Sequence, residues 1–207
     1  MTFDEKDMIK IILERVARID YIKPEDNPNI DLYMDQVTTF MEEQLVSTKR
    51  YEEDKILTKT MINNYAKNKL LPPPEKKRYS REHILMLIFI YYFKNILSIS
   101  DIQSLLTPIA QKYFKSMTEK DMTYIYNEVF SMEKDQIESL KKDLLRKYKT
   151  AQDTFSDADA EDQENLKRFS FICLLSFDVY MKKMMIEHLI DGMNPPAEHN
   201  GKKKKES

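Results

Sequence analysis

The chain has 207 residues, 42% hydrophobic and 33% charged, with a net charge of −2 and one cysteine. It is long enough for one sizeable core and too apolar to be disordered. Both glycines, Gly192 and Gly201, lie near the C-terminus, so residues 1–191 lack the residue that phosphate-cradling loops and extensive sheets use for positive φ. A mostly α-helical chain fits best. Cys173 excludes an internal disulfide, and no apolar signal segment opens the sequence; both predict a cytoplasmic protein. The longest apolar stretch, residues 84–93, is too short for a membrane span.

In chain order, Met8, Ile9, Ile12, Val16 and Ile19 mark an amphipathic helix over residues 3–20. Two prolines in residues 23–29 end it in a linker. A second helix is expected over residues 31–46, with Asp31 as its cap and Leu32, Val37, Phe40, Met41 and Leu45 along one side. Thr58 opens a third helix, expected to run to Leu70, where Pro72, Pro73 and Pro74 stop it for want of backbone donors. Ser80 caps a fourth helix that is apolar nearly all round and therefore central. Ser98 or Ser100 caps a fifth, containing Pro108.

From Thr118 one long helix is expected to about Ala151, carrying a near-heptad stripe of Ile125, Val129, Met132, Gln136, Ile137, Leu140, Leu144 and Tyr148. The stripe either forms a homodimer seam or packs within the chain against a last helix over residues 163–191. Residues 153–164 read as an acidic loop, and residues 194–207 as a disordered basic tail. The expected division is an N-terminal helix and linker (1–29), a winged helix-turn-helix domain (30–117), a C-terminal helical pair for dimerisation or an effector (118–193), and the tail (194–207).

The charge is unevenly placed. Residues 55–83 hold eight Lys or Arg and two acids, a net +6, so the remainder carries −8. Local charge sets a phosphate footprint. On a helical wheel, Met61, Ile62, Tyr65 and Ala66 share one side of the third helix, and Lys59, Thr60, Asn63, Asn64 and Lys67 the other. That polar face holds no acid. Lysine reaches phosphates, asparagine can bond an adenine edge with both amide atoms, and threonine can bond either. The loop 72–79 adds Lys76, Lys77 and Arg78, followed by Arg81, for backbone phosphates; Tyr79 is expected to pack its ring with its hydroxyl reaching outward. With Thr58 at the helix start, these are the candidate DNA contacts.

The order of residues 57–106 resembles the winged helix-turn-helix of the MerR family of bacterial transcription regulators. Leu57 through Tyr65 is similar to that family's recognition helix, Leu70-Leu71-Pro72 to its exit, Tyr79 through Ile84 to the start of its third helix, and Ser98 through Ile102 to the start of its fourth. Asn63 stands where the family has arginine, Asn64 where it has its first tyrosine, and the wing lacks Gly-Tyr-Arg. A longer run, from Asp31 through Met61–Tyr65 to Leu106, resembles the bacterial domain of unknown function 1836, itself similar to the MerR module. The resemblance implies a winged helix-turn-helix, framed here by an N-terminal helix and a C-terminal helical pair. The expected function is a transcriptional regulator that binds double-stranded DNA, as a homodimer through the C-terminal helices. The alternative is a non-catalytic protein-interaction module on the same scaffold.

No catalytic constellation is legible. His83, His188 and His199 are scattered, and Asp157, Asp159 and Glu161 begin like a calcium loop that then lacks its glycine and final glutamate, with Asp162 and Arg168 in those places. Cys173 lies among apolar residues and reads as core. No enzyme activity, metal or cofactor is expected, and no effector is named by the residues.

Overall fold

The middle of the molecule is the helix that the sequence leaves apolar on every side. In the computed structural model, which describes residues 5–17 and 22–193, this is Arg81–Phe93, and every residue from His83 to Tyr91 is buried. It is α4 in an order that runs α1 (Glu5–Ala17), β1 (Leu32–Tyr33), α2 (Met34–Leu45), α3 (Lys59–Lys67), β2 (Arg78–Tyr79), α4, α5 (Ile99–Tyr113), α6 (Met122–Phe130), α7 (Glu133–Gln152) and α8 (Ala160–Met193). The architecture is mostly helical. β1 and β2 pair antiparallel, with Leu32 opposite Tyr79 and Tyr33 opposite Arg78.

Two apolar cores divide the chain. The larger surrounds α4 and takes Val37, Met41 and Leu45 from α2, Ile62 from α3, Ile102 and Leu106 from α5, and Met122 and Tyr126 from α6. The Tyr126 hydroxyl donates to the carbonyl of Ile22, stapling α6 to the start of the segment. Residues beyond 117 therefore complete this core. The smaller core joins Leu144 and Ala151 of α7 to Phe171 of α8, with Ile9, Ile12, Leu13 and Val16 of α1 packed against it. Lys147, 8% exposed, bridges Asp143 of α7 and Asp178 of α8.

Several boundaries differ from the sequence expectation, each for a local reason. α2 starts at Met34, not at Asp31, because Leu32 and Tyr33 are drawn into the sheet; Gln36 then accepts the Tyr33 N–H at 2.9 Å. α3 stops at Lys67, well before the prolines. Lys69 turns left-handed at φ 59°, and the N–H groups of Lys69 and Leu70 bond back to Ala66 and Tyr65, the Schellman pattern. The expected helix from Thr118 is two helices. The first is capped by Asp121, whose carboxylate accepts the Tyr124 N–H at 2.9 Å. The break at Ser131 and Met132 has no proline or glycine; it separates the part that serves the α4 core from the part that serves the smaller one. Leu144 and Tyr148 of the apolar stripe pack within the chain against α8, as one of the two sequence readings had it. α8 begins at Ala160, so Glu161 and Asp162 of the expected acidic loop are helical. Cys173 is half-buried rather than core. The expected tail at 194–207 lies outside the described residues.

Candidate nucleic-acid interface

α3 is positioned by its caps. The Thr58 hydroxyl accepts the Met61 N–H at 3.2 Å, satisfying one of the orphan donors of the first turn. Thr58 is half-buried and engaged in this bond. Ile62 and Tyr65 are buried against the core, and burial raises the Tyr65 phenol above its ordinary range. The opposite face is open: Lys59, Thr60, Asn63, Asn64 and Lys67 are all exposed. Behind α3, Lys94 donates to the Ile56 carbonyl at 2.7 Å and lies over the Tyr91 ring. It pins the connection that enters the helix, and burial lowers its pKa.

The second basic element is a tight hairpin. Glu75 and Arg78 bridge, with the Arg78 N–H donating to the Glu75 carbonyl at 2.8 Å. Between them Lys76 and Lys77 both have positive φ, 49° and 65°. Positive φ at both central residues is the mark of a type I′ turn, a place normally filled by Asn-Gly or Gly-Gly. This glycine-poor chain fills it with two exposed lysines. Lys115 pairs with Glu75 and holds its carboxyl below the ordinary range, fixing the base of the turn to the end of α5.

The hairpin and α3 both pack against α2, so the exposed face of α3 and the lysine turn are held by one element. Lys59, Thr60, Asn63, Asn64, Lys67, Lys76, Lys77 and Arg78 all reach solvent. The expectation for Tyr79 is corrected. It is 3% exposed, its ring meets His83 edge-on, and burial raises its phenol pKa; the hydroxyl does not reach outward. The pleat decides this, because Arg78 and Tyr79 point to opposite faces of β2. Arg81 is half-buried and donates to Asn29 at 2.8 Å, tying the preceding linker to α4.

Three further groups bear on the site, of which the sequence marks one only as charge. Lys69, exposed beyond α3, joins the cationic set through its left-handed turn. Asp35 of α2 forms an ion pair with Lys59, with both groups largely exposed. His83 is buried, 1% exposed, between the edges of Tyr79 and Phe114. Its Nδ1 accepts the Ser80 N–H at 2.9 Å, closing the first turn of α4. Burial, above all, pushes its pKa down. The count of charges found Lys69; nothing in a linear sequence marks the pairing of Asp35 or the burial of His83.

Elsewhere, a concavity of about 430 Å³ between α4 and the α6–α7 break is lined mainly by Phe89, Phe93, Phe130 and Met132, with no charged group. No cluster of three or more His, Cys, Asp or Glu with metal-binding proximity occurs among the described residues. Among them, too, no helix is long and apolar enough to cross a membrane.

The class these features define is a small helical domain presenting one cationic face. The family is settled by sequence: the model of the domain of unknown function (DUF1836) matches residues 22–129, and the chain belongs to that family. The match begins at the carbonyl that Tyr126 holds and ends within the helix that carries Tyr126. Searches of curated proteins and of solved structures return no match.

Proposed function

We propose that the segment from β1 to α5 is a winged helix-turn-helix, similar to the MerR module, and that the protein is a transcriptional regulator binding double-stranded DNA. α3 enters the major groove with Thr60, Asn63 and Asn64 towards base edges. Lys59 and Lys67 flank it, and the turn at Lys76 and Lys77 acts as the wing on the phosphate backbone.

One observation carries the reading: two adjacent lysines sit in left-handed conformations at the tip of an exposed hairpin. Left-handed backbone costs an L-residue roughly 1–2 kcal/mol. Strain of this kind is commonly retained where a side chain serves a site. Two like charges side by side at a turn tip do nothing for folding, whereas phosphates reward them. The acid-free face of α3 stands on the same supporting helix.

The test is a salt titration of binding to duplex DNA. The logarithm of the affinity should fall linearly with the logarithm of salt, and the slope should lessen by about 0.9 for each phosphate contact removed. A wild-type chain that fails to bind duplex even at low salt refutes the proposal. Selection from random duplexes then tests base reading: a consensus that relaxes in Asn63→Ala is expected, and selection without any consensus would leave α3 without a role in the groove.

A further inference from the structure

α8 carries far more apolar surface than its neighbours cover. Its packed sides are covered along part of their length, and Val179, Met185 and Leu189 remain exposed on them. The first half lies along α7 through Phe171, Leu174 and Leu175, and the second half reaches α5 and the larger core through Ile186 and Ile190. Opposite these contacts stand Phe169 at 61% exposure, Ile172 at 53%, Phe177 at 61%, Tyr180 at 68% and Met184 at 52%. At 100° per residue these five fall on one side of the helix. No charged residue lies between Arg168 and Asp178, and Asp178 is turned inward to Lys147.

We infer that this face is a homodimer interface, in which α8 of one chain packs along α8 of a second copy. The area fits. Aromatic side chains carry about 150–250 Å² each, so the five residues with the stems of their neighbours expose roughly 600–800 Å². Standard interfaces bury about 600–1,000 Å² per partner, so the face reaches the lower part of that range. Scattered apolar side chains are ordinary on a surface, but a contiguous patch of this size marks an interaction site. The spacing 169, 172, 177, 180, 184 repeats every three to five residues, close to the seam that lets two long helices lie side by side. α1 is committed to the smaller core, against α7 and α8 residues. Residues 194–207 hold no large apolar side chain and so offer no cover. A second α8 supplies a matching apolar strip of equal length.

This seam differs from the stripe on α6 and α7, whose Leu144 and Tyr148 are consumed inside the chain. It stands independently of DNA binding. If both hold, it joins two reading modules, as useful specificity on two half-sites requires.

Sedimentation or light scattering on the full chain provides the test. A mass near twice 24.8 kDa is expected at micromolar concentration. Phe177→Glu with Tyr180→Glu should raise the dimer dissociation constant at least a hundredfold. Because both side chains are exposed in one chain, circular dichroism and the melting transition of the diluted variant should match those of wild type. As a second probe, Phe169→Arg should weaken the dimer, while Lys49→Ala, at the cap of the 3-10 turn Val46–Thr48 after α2, should not. A wild-type mass of one chain at 50 µM would overturn the inference. So would a dimer unmoved by all three α8 substitutions. Binding of monomeric chain to neutral lipid vesicles, lost in the same variants, would give the face to lipid and overturn it equally.

Discussion

Lys76→Asn combined with Lys77→Gly should make the protein more stable and a weaker DNA binder. Both positions have positive φ in a two-residue turn. Restoring the residues this turn favours removes roughly 1–2 kcal/mol of strain per position. Glycine returns part of that through the greater freedom of the unfolded chain, about 0.4–1 kcal/mol. The net gain is then roughly 1–3.6 kcal/mol for the pair, which for a domain of this size raises the melting temperature by about 3–11 °C. Urea unfolding should show the same gain as a shift in midpoint without a change in slope. Two phosphate contacts vanish with the charges, so the logarithmic salt slope for duplex binding should fall by about 1.8. General damage would lower both quantities together. A destabilised double variant would refute the strain argument, and unchanged affinity would refute the assignment of the turn as a wing.

Lys147→Met removes the cation between Asp143 and Asp178 and leaves two carboxylates facing each other across α7 and α8. A loss of about 2 kcal/mol is expected, less than for a fully buried pair because both acids are partly exposed; unaltered stability in chemical denaturation would remove the bridge from the account. Asp35→Asn frees Lys59, and a two- to threefold gain in duplex affinity at low salt is expected, shrinking as salt rises because the pair is exposed. His83 governs an acid limb of stability. Burial lowers its folded-state pKa below the unfolded value near 6.5. Below about pH 6.5 the unfolded chain therefore binds the extra proton, and stability falls as pH drops through that range and towards the folded pKa. Glu82 and Lys115 are the charges that act on the ring, in opposite senses. In His83→Gln, which keeps an acceptor for the Ser80 N–H, the slope of stability between pH 5 and 7 should flatten. A slope equal to that of wild type would place the titration elsewhere.

The readable parts of the chain were those governed by local pattern. A helix apolar all round predicts its own burial, and α4 is buried from His83 to Tyr91. Ser98 starts its helix because its side-chain oxygen accepts the Asp101 N–H, and Ser80 starts α4 with its own N–H held by His83. The face of α3 followed from a wheel alone, since the period of a helix does not depend on what it packs against. The candidate site was legible as residue types and as charge. Its geometry was not. The packed ring of Tyr79 is as expected but its outward hydroxyl is not, because a linear sequence does not say which side of a two-residue strand faces the core. Thr118 reads as a helix start because no breaker stands between it and Met122, where α6 begins.

What the sequence by itself determined is therefore the mostly helical class, the central helix, the basic segment and the family. What only the tertiary structure decided are matters of distance between remote residues. These are the strand pairing of Leu32 with Tyr79, the staple from Tyr126 to Ile22, and the Lys59–Asp35 pair. The same holds for the division of one expected helix between two cores and for the open face left on α8. The physical reason is common to all of them. Propensity, capping and periodicity act within a few residues, whereas packing selects which of several locally acceptable conformations is kept. The clearest case is the turn at Lys76 and Lys77, where local preference argues against positive φ and the pairing of Glu75 with Arg78 imposes it.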